Sequence, residues 1–90
     1  MVITEKVKVA NRLGFHLRAA AQFVKASSQF KCRILVRHQH RAVNGKSLLN
    51  LMELAVSYGS ELTLVLEGED AGDAQESLRA LFVSKFGEKD

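Results

Sequence analysis

Asn11-Arg12-Leu13-Gly14-Phe15-His16-Leu17-Arg18-Ala19-Ala20-Ala21 joins a strand-like run to a helix-like run, and its reading decides the fold. Gly14 sits two residues before His16, and Arg18 two residues after it. Leu17, Ala20, Ala21 and Val24 recur at i, i+3, i+4 and i+7, the spacing of one buried helical face. His16 therefore falls at the mouth of a helix. There the first backbone N–H groups lack intrahelical partners, and the aligned peptide dipoles present positive potential. Such an end suits a phosphate. Imidazole is a nucleophile at neutral pH, so a histidine at this point can carry a phosphoryl group as well as bind one. Arg18 is placed to clamp the transferred oxygens with its planar fork of donors.

On the N-terminal side, Val7 and Val9 alternate with Lys6 and Lys8, and Ile3 fits the same face, which predicts a half-buried strand. Gly14 breaks the pattern and is able to take a positive φ. On the C-terminal side the helix is predicted from about Leu17 to Ser28. Alternation returns over Phe30 to Arg37, where Cys32, Ile34 and Val36 oppose Arg33, Leu35 and Arg37. His38-Gln39-His40 reads as a turn and Ala42-Val43 as a short strand, together a hairpin. Ser47 is a natural N-cap for an amphipathic helix carrying Leu48, Leu51, Met52 and Ala55, expected to end near Tyr58 with Gly59 as its C′ residue. Leu62, Leu64 and Leu66 mark a last strand. Asp70 is expected to cap a final helix with core positions Ala74, Leu78, Leu81, Phe82 and Phe86.

The order βαββαβα, with one apolar face on the sheet and one apolar stripe on each of three helices, predicts a two-layer α/β (α+β) sandwich. Residues 1–90 read as one domain, without linkers, repeats or low-complexity segments, and only the last few residues read as disordered. A chain of 90 residues buries somewhat less than roughly 68% of its unfolded surface, enough for a core without staples. No apolar run approaches the ~20 residues that span a bilayer, and no signal-peptide pattern opens the chain. One cysteine excludes an internal disulfide and points to a reducing compartment, so a cytoplasmic location is expected. A net charge of +3 favours acidic partners but falls far short of a nucleic-acid-binding arm.

Three blocks carry a resemblance. Leu13-Gly14-Phe15-His16-Leu17-Arg18-Ala19-Ala20, then Val43-Asn44-Gly45-Lys46-Ser47-Leu48-Leu49-Asn50-Leu51-Met52, then Gly59 followed by Glu67-Gly68-Glu69-Asp70-Ala71 resemble HPr. HPr is the histidine-containing phosphocarrier family of the bacterial phosphoenolpyruvate:sugar phosphotransferase system. The likeness spans nearly the whole chain in the right order. It implies an open-faced sandwich with an antiparallel four-stranded sheet in order 1-4-2-3 and three helices on one face. It also implies a cycle in which enzyme I phosphorylates His16, and His16 passes the group to IIA domains. Arg18 then stabilises the phosphate, and Ser47 matches the serine that an HPr kinase modifies in many members. Phe15, Leu48, Leu49 and Met52 would meet partners. No cofactor or metal is implied, and a monomer without membrane insertion or nucleic-acid binding is expected. The family usually places proline after the arginine, where this chain has Ala19. Alanine keeps the helix and restores a backbone donor that proline lacks.

Other readings compete. Leu48, Leu49, Leu51, Met52 and Leu54 exceed what one helical stripe buries, so some should form an exposed docking patch. That patch and Ser47 also fit a regulatory interaction module controlled by phosphorylation of Ser47. Retention of His16 weighs against a purely regulatory form, since the family includes histidine-less members for that task. Cys32, His38 and His40 would need to converge to hold zinc. Lys31, Arg33, Arg37 and Arg41 form a basic patch that lacks the interleaved aromatics of an RNA-binding surface.

Overall fold

The strand Glu61–Glu67 (β4) organises the sheet because its alternation places Leu62, Leu64 and Leu66 on one face, all fully buried. The computed structural model describes every residue from Met1 to Asp90. Antiparallel neighbours flank β4: Val2–Lys8 (β1) on one side and Arg33–His38 (β2) on the other, with the short strand Arg41–Asn44 (β3) beyond β2. The sheet order is therefore 1-4-2-3, as the resemblance implies. The register puts Ile3 and Ile34 opposite Leu66, Val36 opposite Leu64 and Val7 opposite Leu62, so one face is apolar but for a single carboxylate. Glu5 shares that face and is satisfied from above, accepting from Gln75 Nε2 at 2.9 Å and Arg79 Nη1 at 3.0 Å.

Three helices cover the apolar face: α1 (Leu17–Ser27), α2 (Leu48–Met52) and α3 (Ala71–Val83), with a short turn at Lys85–Gly87 after α3. Phe15, Phe23, Phe82 and Phe86 interlock between α1 and α3 with ring centroids 4.9–6.0 Å apart. Such aromatic pairs each contribute about 0.5–1.5 kcal/mol beyond the area they bury.

The helices depart from the sequence reading in their packing, ends and caps. The buried face of α1 is Ala19, Ala20, Phe23 and Ser27, turned away from the expected Leu17–Val24 stripe. Phe23, the bulkiest residue of the helix, sets the rotation, and Ser27 tolerates burial because its hydroxyl donates to Gly45 O at 2.8 Å. Helix α2 stops at Met52, because Leu54 and Val56 turn inward and Ala55 adopts φ 51°. Gly59 is consequently a loop residue, its N–H bonded to Val9 O at 2.8 Å, and not a helix C′ glycine. Asp70 stands at the start of α3 but makes no capping bond to it. Its carboxylate instead accepts from the backbone N–H groups of Lys31 and Cys32 at 2.8 and 2.9 Å, which ties α3 to the entry of β2.

Candidate functional site

The loop from Asn11 to Gly14 is a tight turn closed by the Gly14 N–H on Asn11 O at 3.0 Å. Gly14 has φ +76°, and a Cβ there would lie 2.9 Å from Val56 O and 3.2 Å from Ser57 Cα. Only glycine lets the loop lie this close to the segment before β4. Phe15 follows, 4% exposed, with its N–H on Val56 O at 3.0 Å. Phe15 is expected from the sequence to meet partners; in the chain alone its ring is a core anchor that fixes the helix entry. His16 is held immediately after it.

His16 is the N-cap residue of α1, with extended backbone. Its Nδ1 accepts from the backbone N–H groups of Arg18 at 3.2 Å and Ala19 at 3.4 Å, two donors that have no intrahelical partner. The ring is 24% exposed. Its Nε2 lies 2.5 Å from Glu88 Oε2. Because Nδ1 receives N–H donors, the ring proton belongs on Nε2, which donates it to the carboxylate. Arg18 projects into solvent on the first turn and lines a shallow depression with Arg12, Leu13, Glu88, Lys89 and Asp90.

Glu88 and Asn11 carry no signal in the sequence pattern. Asn11 is fully buried, and its Nδ2 donates to Gly14 O at 2.6 Å and to Glu88 Oε1 at 3.1 Å. Both neighbours are acceptors, which fixes the amide orientation and leaves Oδ1 without a partner. Desolvation opposes ionisation of Glu88. The hydrogen bonds from His16 and Asn11, with the charges of His16 and Arg18, outweigh it and hold the carboxyl below its ordinary value. The last few residues, expected to be disordered, are thus held against the site, where the Arg12 N–H donates to Asp90 O at 2.9 Å. Just before them Phe86 is buried, as expected, and its carbonyl accepts from Gln22 Nε2 at 3.2 Å. Lys85 and Phe86 take φ values of 57° and 56° to reverse the chain there, conformations that non-glycine residues adopt at a cost of about 1–2 kcal/mol each.

Ser47 caps α2, its Oγ accepting from Asn50 N at 3.2 Å. Beyond it Leu48 is half-buried, while Leu49 is 73% exposed and Met52 lies at the surface. Leu17, freed by the rotation of α1, is 60% exposed beside His16, and Leu13 and Tyr58 are also exposed. Cys32, His38 and His40 do not converge. Cys32 is buried just before β2, where burial first and then the hydrogen bond and charge of Asp70 push its thiol up. His38 lies at the far end of that strand and His40 in the turn after it. Lys31, Arg33, Arg37 and Arg41 are exposed, and Arg41 Nη1 donates to Glu53 O at 3.2 Å. No helix is long and apolar enough to cross a membrane.

Residues 3–84 match the family model PTS-HPr, described as the PTS HPr component phosphorylation site. The chain is 40% identical over 88 residues to the phosphocarrier protein HPr of Treponema pallidum (strain Nichols), covering 98% of this chain and 100% of that protein. It is 39% identical over 79 residues to the HPr-like protein Crh of Bacillus subtilis (strain 168), covering 88% and 93% respectively. The fold matches the crystal structure of HPr-C-His from Thermoanaerobacter tengcongensis with a TM-score of 0.94 at 38% identity, covering 98% of this chain and 99% of that one.

Proposed function

The chain belongs to the HPr family of phosphocarrier proteins of the bacterial phosphotransferase system, and from that premise we propose that His16 is the residue that holds the phosphoryl group. The observation that carries this reading is the pair of backbone N–H groups, from Arg18 and Ala19, directed at His16 Nδ1. A phosphoryl group on Nδ1 offers its oxygens to those donors at the positive end of α1, without a metal. Arg18 adds an exposed guanidinium on the solvent side.

Phospho-enzyme I is the donor and IIA domains are the acceptors. A carrier visited in turn by two different enzymes needs an open site, and the depression beside His16 is shallow. Each transfer relies on in-line positioning and charge stabilisation, supplied largely by the partner. Leu49 and Met52, with Leu48 at the edge, supply the apolar docking surface. The cycle runs in the cytoplasm. Incubation with phosphoenolpyruvate and enzyme I tests the assignment: acid-labile phosphate is expected on the wild type and not on His16→Ala, and equal labelling of both overturns it.

A regulatory role is favoured by one further observation, the likeness to the HPr-like protein Crh. Ser47 phosphorylated by an HPr kinase would place a dianion beside the exposed Leu49 and Met52. Affinity capture comparing Ser47→Asp with wild type separates this role from pure phosphoryl transport; identical partner sets count against it.

A further inference from the structure

The Glu88 carboxylate sits on the far side of the His16 ring from the nucleophilic nitrogen. We propose that Glu88 is a positioning residue for phosphoryl transfer, fixing the Nε2–H tautomer of His16 and stabilising the positive charge the ring gains when Nδ1 is phosphorylated. The proposal rests on the reading of His16 as the phosphoryl carrier and gives the C-terminal segment a part in the chemistry.

Four observations carry it. Glu88 Oε2 lies 2.5 Å from His16 Nε2, a charge-assisted hydrogen bond. Its other oxygen is held at 3.1 Å by Asn11 Nδ2, from a fully buried side chain that also braces Gly14 O of the His16 loop. The turn delivering Glu88 uses left-handed backbone at Lys85, Phe86 and Gly87 and is anchored by the buried Phe86 ring. The Arg12 N–H on Asp90 O closes the tail over the loop just beyond Glu88. A carboxylate is thus oriented on one imidazole nitrogen while helix N–H groups face the other, the arrangement by which a carboxylate selects a histidine tautomer and steadies its cation.

The electron count is simple. The Nδ1 lone pair forms the N–P bond, and the donor's leaving group departs with the pair of the bond that breaks. The ring becomes cationic, and its Nε2 proton stays on Nε2, facing Glu88. On donation the acceptor's nucleophile takes the phosphorus and the N–P pair returns to Nδ1. No proton moves at either step. Arg12, Arg18, Lys89 and Asp90 are the other charged groups around the carboxylate. Of these Arg18, exposed on the first turn of α1, adds to the charge that favours the ionised carboxyl and lies on the solvent side, where phosphoryl oxygens would arrive.

Two measurements on Glu88→Ala and on a variant ending at Gly87 test the proposal. The first is nitrogen-15 and proton NMR of the unphosphorylated ring near neutral pH. Wild type is expected to show a protonated Nε2 with a slowly exchanging downfield proton that both variants lose to solvent exchange. The second is rapid-quench transfer from phospho-enzyme I. Both variants are expected to accept the group about tenfold more slowly at saturation with an unchanged half-saturating concentration, the rate equivalent of one hydrogen bond. Glu88→Gln, which keeps an acceptor oxygen, is expected to retain the Nε2–H signal. Wild-type rates or faster in Glu88→Ala, or absence of the bonded Nε2 proton in wild type, overturn the proposal. Equal phosphorylation of His16→Ala and wild type would instead overturn the carrier reading, and the NMR comparison would still decide whether Glu88 holds the ring.

Discussion

The amide nitrogen of Ala19 lies 3.4 Å from Nδ1 of His16, so a residue that the family usually replaces by proline supplies a donor to the imidazole. The bond is long, and its worth is correspondingly small. Ala19 occupies the third position of α1, before the intrahelical ladder begins with the Ala20 N–H on His16 O, so proline is tolerated there. Ala19→Pro is expected to leave the unfolding midpoint near wild type and to speed hydrolysis of the phosphorylated protein about threefold, the fraction of a hydrogen bond that is lost. An unchanged lifetime of the phosphorylated form would show that the Arg18 N–H suffices alone.

Gly14→Ala should behave differently. At φ +76°, with Val56 O 2.9 Å from where the Cβ would go, the substitution adds left-handed strain to a backbone clash. A loss of at least about 2 kcal/mol in denaturant unfolding is expected. Transfer activity should fall in the folded fraction as well, because the loop that must shift carries His16. Wild-type stability would mean that the loop relaxes freely.

Removal of the Ser47 hydroxyl separates the cap from any modification. Ser47→Ala is expected to cost about 1 kcal/mol through loss of the bond from Asn50 N. Ser47→Asp keeps a capping oxygen and should recover most of that stability while losing affinity for apolar partners. Isothermal unfolding read alongside enzyme I binding distinguishes the two effects.

Leu49→Glu tests the docking surface. The side chain is 73% exposed, so stability should change by less than about 0.5 kcal/mol. The concentration of phospho-enzyme I needed for half-maximal transfer should rise at least about tenfold if Leu49 anchors the interface. An unchanged value would move the docking surface away from α2.

Acid should weaken the fold through two carboxylates. Asp70 is held below its ordinary value of 3.8, chiefly by the Lys31 N–H and further by Cys32. Glu88 is held below 4.5 by His16, Asn11 and Arg18 against desolvation. A carboxyl lowered in the folded state contributes stability that is complete above its unfolded value and is lost as pH falls through the folded one. Unfolding free energy is therefore expected to drop below about pH 4, and Asp70→Asn and Glu88→Gln should flatten that limb while lowering stability at pH 7. Parallel pH profiles for wild type and variants would count against these pairings.

The strand alternation, the hairpin, the sheet order through resemblance, and the Gly14–His16–Arg18 spacing were all legible because each is a short-range pattern with a steric or electrostatic cause. The rotation of α1 was not, since Leu17-Ala20-Ala21-Val24 and Ala19-Ala20-Phe23-Ser27 are both plausible stripes. Only the Phe15 and Phe82 rings, which pack on Phe23, select the second. Asp70 read as an ordinary cap because its actual partners, Lys31 and Cys32, are 39 and 38 residues away. Glu88 was invisible for the same reason. It lies in a polar tail without periodicity, and its partner is 72 residues distant.

The two chain ends differ sharply in what they can bear. Met1 O accepts from the Gly68 N–H at one pole of the sheet, whereas Asp90 O meets Arg12 at the pole that holds the imidazole. A fluorophore, purification handle or fused protein attached beyond Asp90 would begin its path beside the His16 ring and, if that ring is the proposed phosphoryl carrier, screen it from incoming enzymes. The same cargo placed ahead of Met1 would trail from the opposite pole and leave traffic at the ring undisturbed.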